Sequence, residues 1–95
     1  MDDFFAPPPF KPDDALLQLR RSLRELRPLA ERGNGFDLQG QRLVELNLDG
    51  AALQARIVKQ PSRSPEWETR TLKSSADVRQ FTDEVKRRLS RWSDE

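Results

Sequence analysis

The sequence predicts an α+β fold: a two-layer sandwich in which a three-stranded antiparallel sheet carries two helices on one face, in the order α-β-β-β-α. Three observations predict it. Apolar residues recur at spacings of three and four in two long segments, 13–32 and 75–92. Between them, apolar and polar residues alternate singly on both sides of Asp49-Gly50, a two-residue hairpin signal. A third alternating run, 66–73, follows a loop bounded by Pro61 and Pro65.

Residues 1–12 are expected to form a flexible N-terminal arm. Pro7-Pro8-Pro9 favours the extended polyproline II conformation, and Pro12 blocks an earlier helix start. Phe4, Phe5 and Phe10, three of the five Phe, fall here and make the arm the candidate partner-docking element. A Pro-rich segment loses little backbone entropy on binding, and Phe offers a large apolar area to a pocket.

The first helix is expected over 13–32. Asp13 or Asp14 is its N-cap, and both carboxylates suit the positive end of the macrodipole. Leu16, Leu19, Leu23, Leu26 and Ala30 form one apolar stripe. Pro28 removes a backbone donor and disfavours α geometry at Arg27, which predicts a kink or stop near residue 27. Gly33-Asn34-Gly35 ends the element.

In the sheet, Val44, Leu46 and Leu48 alternate with Glu45 and Asn47, and Leu53, Ala55 and Ile57 alternate with Gln54, Arg56 and Val58. With Asp49-Gly50 as a type I′ loop, Leu48 faces Ala51, Leu46 faces Leu53, Val44 faces Ala55 and Arg42 faces Ile57. A slip of one residue would turn the apolar set to solvent, so burial and turn chemistry select the same register. Phe36 and Leu38 either extend the first strand or form a short piece before a turn at Gly40. In the third strand Trp67 is assigned to the inner face, with Glu68 near Arg56 on the outer one. Leu43, Val58 and Leu72 then fall together on the outer face, a candidate sheet-face interface for a partner or a second copy.

Ser74 or Ser75 caps the last helix, and Ser74 with Asp77 forms a capping-box pattern with Asp in place of Glu. Val78, Phe81, Val85, Leu89 and Trp92 form its apolar stripe. Residues 93–95 are an acidic tail, so a single domain over 13–92 is flanked by the arm and the tail.

Composition excludes much chemistry. The 95 residues contain no Cys, His or Tyr, which removes thiolate nucleophiles, disulfides, Cys or His metal sites and His-based acid–base catalysis. Gly33-Asn34-Gly35 lacks the Lys-Ser/Thr of a P-loop. No enzyme activity and no cofactor are expected. The N-terminus lacks the basic and apolar regions of a secretory signal, and no apolar run has membrane-spanning length. A cytoplasmic protein is expected, and 13 Arg among 17 basic residues suggest a GC-rich bacterial genome.

The net charge is only +1, so no global field steers the chain to nucleic acid. Arg20, Arg21, Arg24 and Arg27 cluster on the first helix, and Lys86, Arg87, Arg88 and Arg91 on the last. Helical partners are expected for several: Arg21 with Glu25, Arg27 with Glu31, Asp83 with Arg87, and Glu84 with Arg88. The last-helix set is the candidate nucleic-acid contact. In element order, residues 13–92 resemble the double-stranded RNA-binding domain, a family that grips phosphate with Lys-Lys-x-Ala-Lys at the start of its last helix. The matching stretch, Lys73-Ser74-Ser75-Ala76-Asp77, keeps Lys73 and Ala76 but replaces two lysines with Ser74 and Asp77. The family's His-bearing loop is replaced by the Asp49-Gly50 turn, so the resemblance is topological and transfers no site. The chain therefore reads as a small non-catalytic protein-interaction module, binding an unknown protein partner or a second copy as a homodimer. RNA or DNA binding through the last helix is the alternative.

Overall fold

A computed structural model describes residues 10–93. The element order is α1 (Pro12–Arg24), β1 (Ala30–Arg32), β2 (Gly35–Leu38), β3 (Gln41–Asp49), β4 (Ala52–Val58), β5 (Trp67–Leu72) and α2 (Ser75–Ser93). The class is α+β with two helices and an antiparallel sheet, as expected, but the sheet has five strands, ordered as they occur in the chain.

The two additional strands come out of and just beyond the segment expected to be helical. An α-helical Arg24 carbonyl needs the N–H of residue 28, and Pro28 has none, so α1 stops at Arg24. Leu26 and Leu29 then donate N–H bonds to the carbonyls of Leu23 and Leu26, at 3.0 and 2.9 Å, and the Arg27–Pro28 peptide is cis. Gly33-Asn34 is the turn between β1 and β2 rather than a helix terminator. Gln39-Gly40 joins β2 to β3, with φ of +53° and +83°, both positive as a type I′ turn needs. Phe36 and Leu38 thus form a separate short strand. At the other end Pro12 opens α1, in the first-turn position where its missing N–H costs nothing, and Asp13 and Asp14 lie inside the helix instead of capping it.

β3 and β4 pair two residues out of the expected register. Leu46 faces Ala55 rather than Leu53, Leu48 faces Leu53, and Val44 faces Ile57. Asp49 stays in its strand opposite Ala52, and Gly50-Ala51 makes the turn. Gly50 at φ +61° takes the first central position, as a type II′ turn requires. A shift of two keeps each side chain on its face, so the apolar set remains buried. It also sets Glu45 opposite Arg56, an ion pair at 3.1 Å, and gives Ile57 an apolar partner in place of Arg42.

One row of residues crosses all five strands on the same face: Glu31, Phe36, Val44, Ile57 and Glu68. The three central members are fully buried. The two edge acids take arginines from the helices, Glu31 from Arg20 and Arg24 of α1, Glu68 from Arg88 of α2. Both helices therefore cover this face. Leu19 and Leu23 of α1 and Phe81, Val85 and Leu89 of α2 fill the core, while Ala30 is exposed on β1.

The face assignment of β5 is the reverse of the expected one. Glu68, Arg70 and Leu72 share the helix side with Ile57, Ala55 and Leu53, and Trp67 lies on the open side with Val58. Glu68 consequently meets Arg88 and Arg70 rather than Arg56. Between β2 and β3 the register changes at Phe36/Asp37, leaving Leu43 without a partner on β2. Such a bulge breaks the alternation, and consecutive Leu43 and Val44 are both fully buried. Leu43, Val58 and Leu72 are 0%, 0% and 3% exposed, so they form no outer-face patch.

Candidate functional site

α2 is placed by its cap and by one arginine. Ser74 Oγ accepts a bond from the Asp77 N–H at 3.1 Å, and Asp77 Oδ2 accepts one from the Lys73 N–H at 2.9 Å. The stretch compared with a phosphate grip thus closes a helix end. One turn before the helix terminus, Arg88 reaches back to the sheet. Its Nη1 donates to the Val58 carbonyl at 2.9 Å, and its Nη2 to Glu68 at 2.7 Å and Glu84 at 2.5 Å. Arg70 donates to Glu84 at 2.9 Å and to Glu68 at 3.2 Å, completing a four-residue network. The side chains of Arg88 and Glu84 are each 17% exposed. Arg88 therefore leaves the candidate nucleic-acid set. Glu84 forms its expected helical pair, whereas Glu31 is bound by Arg20 and Arg24, with Arg27 uninvolved.

The network sets the titration. The hydrogen bond from Arg88 holds the Glu68 carboxyl below the ordinary glutamate value of 4.5, and that from Arg24 does the same for Glu31. Glu84 holds the Arg70 guanidinium above its ordinary value. A carboxyl depressed in the folded state contributes stability fully above its unfolded value, and that contribution is lost as pH falls through the folded value. The chain has no His, so its urea midpoint should be flat between about pH 5.5 and 7 and fall on acidification below about pH 4.5. A midpoint that declines between pH 7 and 5.5 would contradict this assignment.

Lys86, Arg87 and Arg91 are exposed and make no ion pair among the described residues. Arg87 and Arg91 border a cavity of about 260 Å³ with Lys59, whose ammonium lies 3.3 Å from Glu66.

A second groove lies between the helices, with a cavity volume of about 300 Å³. Leu19 is buried and Ala15 and Val78 half-buried, making an apolar floor. Arg79 and Lys86 stand exposed on the α2 rim with Asp83 between them in sequence. The sequence signal for this groove was present but split: the small Ala15 and Ser22 lie beside the first apolar stripe, and Arg79 beside the second.

The open face of the sheet is polar and bonded to itself. Asn34 donates to Asn47 at 3.1 Å and accepts from Arg42 at 3.1 Å. Gln54 donates to Asp49 and accepts from Thr71. The guanidinium of Arg56 stacks 4.6 Å from the centre of the Trp67 ring. Asp37 is buried at 7% exposure, its Oδ1 2.9 Å from Arg42 Nε without the alignment of a hydrogen bond, and Arg32 approaches to 3.7 Å. Local pattern does not single out this carboxylate, because the arginines beside it, Arg32 and Arg42, come from the strands on either side. These contacts explain the polar residues of the face as structural.

Phe10 is half-buried ahead of α1, and Phe4 and Phe5 lie outside the described residues. Among the described residues no helix is long and apolar enough to cross a membrane, and no group of acidic residues is arranged to hold a metal ion. No protein-family model, curated protein or solved structure matches the chain.

Proposed function

We propose that the domain acts by binding a protein segment, without chemistry of its own, in the groove between α1 and α2. The observation that supports this is the make-up of the groove: an apolar floor of Ala15, Leu19 and Val78 beneath two exposed cations, Arg79 and Lys86, and one exposed acid, Asp83, which leaves the rim with a net positive charge. Such a surface suits a peptide that joins apolar side chains to acidic ones. The half-buried carboxylates Glu31, Glu68 and Glu84 are each bound by two arginines, which fits structural duty rather than acid–base work.

Peptides selected from a random library on the full chain should be rich in Asp or Glu beside aromatic residues. They should shift the amide resonances of Ser22, Val78 and Thr82. Reversing both rim charges, Arg79→Glu with Lys86→Glu, should weaken them on the order of tenfold. Selection of no peptide, or of peptides that shift only the open sheet face, overturns the proposal.

A second reading, nucleic-acid binding, draws support from Lys59, Arg87 and Arg91 around one cavity, which Arg88 and Glu84 also line. Retention of RNA or DNA at low salt, with a salt slope reduced by roughly two on changing Arg87 and Arg91 to Ala, would favour it. Absence of retention at low salt removes it.

A further inference from the structure

The near-neutral net charge conceals a separation. All 17 basic side chains lie within residues 10–93, whereas four of the 16 acids, Asp2, Asp3, Asp94 and Glu95, lie outside. The described residues therefore carry +5, and part of that excess, Arg79 and Lys86, stands on the rim of the helix–helix groove. Asp2 and Asp3 are followed directly by Phe4-Phe5.

We propose that the chain's own N-terminal arm occupies the groove between α1 and α2, with Phe4 and Phe5 on the apolar floor and Asp2 and Asp3 against Arg79 and Lys86. The inference rests on the groove being a docking surface and names its first occupant.

Reach permits it. The first described residue is Phe10, half-buried just ahead of α1, and Phe4 lies six chain steps before it. Extended, they span up to about 20 Å. The α1 side of the groove runs from Ala15 to Ser22, about 10 Å of helix beginning roughly one turn inside α1. Phe4 and Phe5 therefore reach the Ala15 end of the floor with slack to spare for the reversal of chain direction, while the Ser22 end lies near the limit of that reach. Tethering on so short a linker gives an effective concentration in the millimolar range, far above that of a second copy in dilute solution, so the arm serves its own chain. The run of prolines lowers the entropy lost on docking. An arm bound this way competes with any external peptide, so a partner must present the same acidic and aromatic chemistry in a tighter form.

The absence of Cys allows a clean test on the full chain. A spin label on Ala6→Cys should broaden the amides of Ser22 and Thr82 and spare Asn47 and Thr71 on the open sheet face. The broadening should vanish when Phe4→Ala and Phe5→Ala are added. A library-selected groove peptide should bind the Phe4→Ala/Phe5→Ala chain about tenfold more tightly than the parent if the arm holds the groove nine-tenths of the time. Groove amides left sharp, or broadening that survives the two alanines, overturns the proposal. So does broadening that appears only between a spin-labelled chain and a separate isotope-labelled one, because the occupant is then a second copy. Groove peptides that bind parent and double-alanine chains equally would overturn the arm's role while leaving the docking surface intact.

Discussion

Replacing Phe36 by Ala is expected to lower folding stability by about 3–5 kcal/mol. Phe36 is wholly shielded from solvent and is the largest fully buried residue among those described. It stands on β2 between Glu31 and Val44 in the row that both helices cover. Nothing small can fill that volume, because its neighbours are held by pairing on both sides and by the register change at Phe36/Asp37. A domain of this size has only about 5–10 kcal/mol in total, so the variant should be substantially unfolded near physiological temperature. Urea unfolding followed by far-ultraviolet circular dichroism checks it, with Phe36→Leu as the milder comparison at about 1–1.5 kcal/mol. A midpoint unmoved by Phe36→Ala would remove β2 from the sheet. The close approach of β2 and β3 adds a reason to expect sensitivity here, since a side chain at Gly35 would meet the Val44 carbonyl and the Arg42 guanidinium.

The parts of the fold legible in the sequence are those carried by long periodic runs. The stripes running from Leu16 to Ala30 and from Val78 to Trp92 contain enough repeats to specify helix and face, and Leu19, Leu23, Phe81, Val85 and Leu89 do line the core, although Leu26 and Ala30 fall beyond the end of α1. The β3–β4 alternation specified faces but not register. Its period is two, so burial alone accepts the expected pairing and the observed one equally. Cross-strand charge distinguishes them, because only the observed register sets Glu45 against Arg56. β1 and β2 have three and four residues, too few for an alternation to stand out. Their signal lay in the turns: Gly33-Asn34 is a hairpin pair, and Pro28 withholds the donor that an α-helical Arg24 carbonyl needs.

β5 departs from its local pattern for a different reason. Hydrophobicity placed Trp67 inside, yet the inner set is Glu68, Arg70 and Leu72. Charged residues can face inward there because α2 supplies Glu84 and Arg88, a fact no local pattern contains. The same arrangement occurs at the opposite edge, where inward-facing Glu31 meets Arg20 and Arg24. An inward charge on an edge strand opposes a slip in register and the addition of a further strand, since either change would strand it away from its helix partner. The edges of this sheet are thus poor templates for self-pairing. That directs attention to the helical layer, where the groove lies, and away from the sheet as the binding surface.

The same network decides what the arginines of α2 do. Arg87, Arg88 and Arg91 look equivalent in sequence, because their difference depends on Glu68 and Val58, at least 20 residues away. Arg88→Ala is expected to destabilise the domain by about 2–3 kcal/mol, below the range for a wholly buried pair because its partners remain partly wet. The loss has three components acting together: the Val58 carbonyl loses its side-chain donor, Glu68 keeps only Arg70, and Glu84 likewise. Arg87→Ala and Arg91→Ala, on the exposed side of the helix, should each change stability by less than about 0.5 kcal/mol. Arg88→Lys should recover only part of the loss, because one ammonium cannot address a carbonyl and two carboxylates with the fixed fork of a guanidinium. Urea midpoints for the four variants give the comparison. If Arg88→Ala behaves like its two neighbours, the network does not anchor α2 and Arg88 returns to the set of cations free to meet a ligand. If it destabilises the domain as expected, any loss of nucleic-acid retention in that variant is confounded with lost stability, and only Arg87, Arg91 and Lys86 can report on binding.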